Sequence, residues 1–270
     1  MVGGLSQLIH LVAAFRAAKA GELPADFFPS HGEFRFCNSV SFVESRRSLF
    51  GRQTTVTIAD TPTEWLLRLV KAGTSHAFLR HWDTPSPKAP DYALVGFVGG
   101  GGPWAFVAVR RQETQLWFAS WQVSRRSAPD NQIWSVNYSL ADIQQPWSEP
   151  PIDLDALSLQ LRQALLEIER FAMRHGLESW ASWFVRGCDA LDQDEPRFPD
   201  YVDTSLLASF SPTARRLLAA CYAAWVFGGM GSWNDCGFTE PDLRSEYEAR
   251  SRTLYSAINS AIQGATTEAP

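Results

Sequence analysis

Hydrophobic periodicity changes once along this chain, and that change constrains the fold more than any other feature. Ahead of residues 146–151 apolar side chains recur largely at every second position; beyond it they recur at every third and fourth. Pro146, Pro150 and Pro151 stand at the join. A chain of this kind is expected to be α+β: a small antiparallel sheet with N-terminal helices, followed by an all-helical C-terminal half. The expected boundaries are 1–148 for the first half and 149–264 for the second, with 265–270 a frayed tail. The linker is short and Trp147 can bury beneath it, so the halves are free to share one core.

In the first half, Leu5, Leu8, Ile9, Val12 and Phe15 or Arg16 fall on one stripe of an amphipathic helix, which Gly21 stops. Short strands are expected over 33–58, where Phe34 alternates with Phe36 and Val40 with Phe42. Thr61-Pro62-Thr63-Glu64 is a capping box, opening a helix with Trp65, Leu66, Leu69 and Val70 inward; Gly73 closes it. Further strands are expected at 92–98, 104–110, 114–124 and 133–140. Gly99-Gly100-Gly101-Gly102 would be a flexible hairpin between the first two, and turns are expected near Glu113 and at Pro129-Asp130-Asn131. Trp117, Ala119, Trp121 and Val123 share one face; Leu116 and Phe118 share the other. Short connections make these strands antiparallel neighbours, with Trp117 and Trp121 both largely buried.

In the second half, Leu154, Leu157, Leu161, Leu165 and Ile168 form a stripe behind the cap Asp153, and Gly176 ends that helix. Trp180, Trp183, Phe184, Gly187, Cys188 and Leu191 follow the same spacing. An acidic loop over 189–203 precedes Ser211-Pro212, which caps a helix with Leu218, Cys221, Tyr222 and Trp225 inward. A last helix begins at Thr239-Glu240-Pro241-Asp242 and carries Leu243, Tyr247, Leu254 and Ile258, with Gly264 onward frayed.

Composition narrows the function classes. Net charge is −5 and no block of basic residues is present, adjacent arginines occurring only as isolated pairs, so no nucleic-acid partner is expected. No apolar run approaches the ~18 residues of a membrane span, so no membrane partner is expected. Four widely spaced cysteines without Cys-x-x-Cys point to reduced thiols in a cytoplasmic protein. Eleven tryptophans, most of them expected in the core, also offer interface anchors.

The candidate chemistry is sparse. Gly99 to Gly102 lacks the Gly-Lys-Ser/Thr and helix of a phosphate loop. His81 and Asp83 would face one way on a strand, where a surface hydrogen bond is favoured over a metal or an activated water. The acidic loop (Asp189, Asp192, Asp194, Glu195, Asp200) lacks EF-hand spacing. No nucleophile elbow is present. No cofactor and no metal are expected, and no catalytic residue is nominated.

The densest local signal is Gly228-Gly229-Met230-Gly231-Ser232-Trp233-Asn234-Asp235, directly after an apolar helix. Its amides offer a nest for an anion, and Asn234 and Asp235 can face a ligand. The favoured reading is structural, with at least one of Gly229 and Gly231 at positive φ, Trp233 plugging the core and the polar side chains bonding their own turn. This segment resembles one near the C-terminus of small uncharacterised bacterial proteins, where an aromatic helix also precedes it; the resemblance implies a bacterial or phage origin and no particular activity. The expected function is non-catalytic protein binding, of an accessory or immunity type, with Gly229, Gly231, Trp233, Asn234, Asp235, Trp117 and Trp121 as candidate contact residues. The alternative is an enzyme or small-ligand-binding protein built on the 228–235 turn. Oligomeric state is not specified by any of these features.

Overall fold

The computed structural model describes residues 3–47, 53–83, 89–97, 100–111, 113–128, 130–141, 145–146 and 151–268. The chain opens with helix α1 (Gly3–Ala20), the short turn α2 (Phe27–Ser30), strands β1 (Cys37–Arg47) and β2 (Gln53–Ala59), and helix α3 (Pro62–Lys71). Strand β3 (His76–His81), the single turn α4 (Asp91–Leu94) and strands β4 (Trp104–Arg110), β5 (Glu113–Val123), β6 (Trp134–Leu140) and β7 (Gln145–Pro146) follow. Four helices complete the fold: α5 (Leu154–Arg174), α6 (Glu178–Asp192), α7 (Pro212–Ala224) and α8 (Pro241–Thr267). The fold is α+β, with the helical second half that the change of period requires.

Local signals act where they stand. The Thr61 hydroxyl accepts from Glu64 N–H at 3.2 Å, the Asp153 carboxylate from Ala156 N–H at 2.9 Å and the Ser211 hydroxyl from Ala214 N–H at 3.2 Å. Each satisfies an amide that the first helical turn leaves without a partner. Gly21, Gly73 and Gly176 sit at φ +79°, +79° and +69° just past three helices, a conformation that a side chain resists.

The sheet runs β2-β1-β6-β5-β4-β3, with β7 pairing the start of β5. The β4–β5–β6 meander is antiparallel as its short connections demand, but β1 lies parallel to β6, so the sheet is mixed rather than wholly antiparallel. The segment separating β1 from β6 is far longer than the crossover a parallel pair needs. The inner face carries Val40, Phe42, Leu79, Phe106, Trp117, Val136 and Tyr138, all buried. Phe42 stacks between Trp65 of α3, at 4.1 Å, and Tyr138, at 5.0 Å. On the opposite face Phe78, Ala105, Val107, Val109 and Leu116 form a second, smaller cluster. Across β1 and β6 that face turns polar: Ser39 bonds Ser135 at 2.9 Å, and the Ser41 hydroxyl donates to Asn137 at 2.6 Å.

Further expectations are corrected, the first being the strand at Phe34 and Phe36: Gly32–Phe34 form a single 3-10 turn, and β1 begins only at Cys37. Helix α1 is not amphipathic, because every residue from Leu5 to Ala18 is buried between the sheet and the helical half. Its polar members are paired inside: Gln7 accepts from the Tyr138 hydroxyl at 2.7 Å, and Arg16 donates to the Thr266 carbonyl at 3.1 Å and the Ser209 carbonyl at 3.2 Å. Residues 92–97 form no strand; helix α4 and a loop occupy them. With no strand there, Gly100, Gly101 and Gly102 are not a hairpin; Val98 and Gly99 lie outside the described residues. The C-terminus is not frayed from Gly264, since α8 continues to Thr267 with Ala265 and Thr266 buried. Finally, only Trp117 is fully buried, packed edge-on against Trp65 at 5.3 Å. Trp121 is half-buried at the rim, lying against Trp134 and over Gly4 of α1. Pro129 and Trp147 lie outside the described residues. A single apolar cluster runs from Leu5 to Ala265, so the two halves share one core. Among the described residues no helix is long and apolar enough to cross a membrane.

Candidate functional site

The glycine-rich turn is tied to itself. Gly231 has φ +81°, and its N–H donates to the Asp235 carboxylate at 2.5 Å. Asn234 N–H donates to the Ser232 hydroxyl, and the Asn234 side chain donates to the carbonyls of Gly228 and Tyr92, both at 3.0 Å. Trp233 is fully buried; its indole N–H donates to the Ser251 hydroxyl at 2.8 Å and its ring sits among Trp180, Phe184 and Tyr247. Gly229 faces open space, and Met230 beside it is wholly exposed. The Asp235 carboxylate and the Asn234 amide nitrogen thus bond backbone groups, while Asn234 Oδ1 is buried without a partner, and Trp117 and Trp121 lie apart from the turn in the sheet.

What the turn holds is the loop that follows β3. A Cβ on Gly96 would fall 2.4 Å from the backbone at Gly228 and Gly229, so two chain segments meet there with no room for a side chain. Through the Asn234–Tyr92 bond the turn also anchors the residue next to Asp91. Further along that loop, Gly101 and Gly102 take φ of +87° and +75°, which lets the backbone close over His81.

His81 ends β3 with its side chain almost wholly buried. Its Nε2 lies 3.0 Å from the Gly101 carbonyl, which also accepts from the Tyr255 hydroxyl. That contact places the proton on Nε2 and leaves a lone pair on Nδ1. Nδ1 stands 3.7 Å from the Asp83 carboxylate, and one ligand atom each from His81, Asp83 and Asp91 lie within 4.8 Å of one another. Burial, opposed by the Asn259 amide and assisted by Asp91 and Asp83, holds the Tyr255 hydroxyl well above its ordinary range. It therefore remains a donor. The spacing of His81 and Asp83 signals this pair in sequence; Asp91, Tyr255 and Asn259 come from elements that no local pattern connects.

A second histidine cluster lies beneath α1. His10 is fully buried, with Nδ1 2.9 Å from the Ser6 carbonyl and Nε2 2.8 Å from the Asp203 carbonyl. Glu33 accepts from the Ser6 hydroxyl at 2.8 Å, and Ser6 also bonds the Tyr222 hydroxyl at 2.6 Å. The His31 ring lies 5.0 Å from that of His10, and its Nδ1 accepts from Glu33 N–H. Burial, reinforced by His10 and opposed by Asp203, brings His31 down to about 4. His175, by contrast, caps the end of α5, and Asp192 of the acidic segment pairs with Arg162 at 2.5 Å.

Two concavities bear on binding. A cleft of about 620 Å³ runs between β3, the start of α5 and the end of α8, but its Asp153 carboxylate is committed to capping α5. A smaller hollow of about 270 Å³ is lined by Trp180, Trp183, Trp225, Val226, Phe227 and the turn backbone at Gly231 and Ser232. Trp183 is 42% exposed on its rim, with the Arg186 guanidinium stacked 4.3 Å over its ring. Fold and surface together define an α+β protein with an aromatic hollow beside a self-bonded turn. Comparison with known protein families, curated proteins and solved structures finds no match.

Proposed function

We propose that the protein acts by binding another protein, in an accessory or immunity-type role, through the face formed by α6 and the glycine-rich turn. The observation that carries this reading is the aromatic hollow with an exposed tryptophan on its rim and an exposed methionine next to its lining glycine. Tryptophan and methionine are enriched where proteins meet, because they bury large area with few fixed polar demands. Arg186 is exposed, stacks on Trp183 and has no carboxylate partner among the described residues. The complementary partner presents an apolar side chain for the hollow and a carboxylate beside it. The turn's hydrogen bonds favour this over catalysis at the turn, since the Asn234 amide nitrogen and the Asp235 carboxylate are occupied by backbone groups.

The test is comparative capture. The bacterial or phage source implied by the turn makes a bacterial lysate the natural pool. A partner recovered by the parent chain is expected to be lost with Trp183→Asp and retained with Leu159→Asp, which places a charge on the exposed side of α5. Retention by the Trp183 variant, or recovery of no partner at all, would overturn the reading.

A further inference from the structure

We propose that His81, Asp83 and Asp91 form a binding site for one divalent first-row transition-metal ion, with the amide oxygen of Asn259 as an additional donor.

The three ligand atoms already lie within 4.8 Å of one another. Ligands held ~2.0–2.2 Å from a common ion sit up to ~4 Å apart, so closure by several tenths of an ångström completes the set. Asp83 can supply that movement, because its side chain is 89% exposed and unconstrained by packing.

His81 is prepared for the role by its surroundings. Metal-binding imidazoles characteristically donate their second ring N–H to a carbonyl or carboxylate, which fixes the tautomer. Here the Gly101 carbonyl receives Nε2–H, so Nδ1 carries the lone pair; it accepts only a long bond from the Asn259 amide, at 3.5 Å, and lies 3.7 Å from the Asp83 carboxylate. Trp104 lies 4.8 Å from the ring and Gly102 closes the other side, so the imidazole is held in place.

Asn259 is an independent indication. It is 3% exposed, its amide nitrogen is 3.5 Å from His81 Nδ1, and its Oδ1 has no hydrogen-bond partner. A buried carbonyl oxygen without a donor is costly; turning the amide over exchanges its nitrogen for that oxygen beside His81 Nδ1, where a cation would satisfy it. One imidazole nitrogen with carboxylate and amide oxygens suits Zn²⁺ or Mn²⁺; Mg²⁺ and Ca²⁺ prefer oxygen alone. The site is separate from the aromatic hollow and does not depend on the docking reading.

The experiment is calorimetric titration of the full chain, first stripped with a chelator, using ZnCl₂, MnCl₂ and, as control, MgCl₂. Saturable binding of one Zn²⁺ or Mn²⁺ per chain is expected, weakened at least about tenfold in both Asp83→Asn and Asp91→Asn. Asp83→Asn alters an exposed carboxylate, so a melting curve matching the parent's establishes that its fold is retained. In the Co²⁺-substituted parent, the visible bands should shift on His81→Gln, which reports the nitrogen ligand. Failure of both Zn²⁺ and Mn²⁺ to saturate a single site, or an affinity unchanged in both aspartate variants, would overturn the assignment; binding at cysteine thiols alone gives the second result.

Discussion

The clusters around His10 and around His81 use the same residue types to opposite ends. Around His10 both ring nitrogens face backbone carbonyls, and Glu33 and Tyr222 are joined through Ser6. Around His81 one nitrogen is anchored while the other faces two aspartates and an amide whose oxygen lacks a donor. A histidine, carboxylates and a tyrosine do not by themselves make a site. What separates the two is enclosure: the His10 ring is walled in by core side chains and backbone carbonyls, whereas the His81 cluster opens to solvent through Asp83.

The largest expected effect breaks the closed cluster. His10→Ala removes the partner of the Asp203 carbonyl and opens a void in the core, and should cost about 3–5 kcal/mol in urea unfolding. Asp83→Asn, in the open cluster, should stay within ~0.5 kcal/mol of the parent. A His10 loss below ~1 kcal/mol would erase the distinction.

A smaller effect sharpens it through pH. Folding holds His31 at about 4, below the usual histidine value, so between the two values the unfolded chain binds a proton that the folded chain refuses. The contribution is fully present above pH ~6.5, declines as pH falls towards about 4 and then levels off, amounting to roughly 3 kcal/mol. His31→Gln should flatten this slope in melting curves collected across that range; an unchanged slope would assign it to another group.

The smallest effect concerns the turn beside the open cluster. Asp235→Ala removes the acceptor for Gly231 N–H and should lower stability by about 1 kcal/mol, a value typical of a lost cap, while leaving partner capture intact. Loss of capture with an unchanged melting temperature would make the Asp235 carboxylate itself a contact with the partner.

Much of this architecture is legible in the sequence because its determinants are local. Thr61, Asp153 and Ser211 announce helix starts, and Gly21, Gly73 and Gly176 their ends, through bonds spanning a few residues. The alternation through Trp117 likewise identifies its inward face. Features that depend on distant partners are not legible: β1 beside β6, the complete burial of α1, and the last turn of α8. The candidate metal site divides in the same way. His81 and Asp83 are two residues apart and visible as a pair, whereas Asp91 is delivered by a loop seated on Gly228 and Gly229, and Asn259 by the final helix.

That final helix has a consequence for synthesis. The outer edge of β3 is satisfied by α8, with Leu79 N–H donating to Thr266 Oγ1 and His81 N–H to Gln263 Oε1, pairs separated by 187 and 182 residues. At ~5–20 residues per second, a nascent chain carries that strand edge uncovered for roughly 10–40 s. An uncovered edge is a template for pairing with another chain. Yield during expression should therefore depend on how soon translation delivers α8 after β3, and on what shields the edge in the interval.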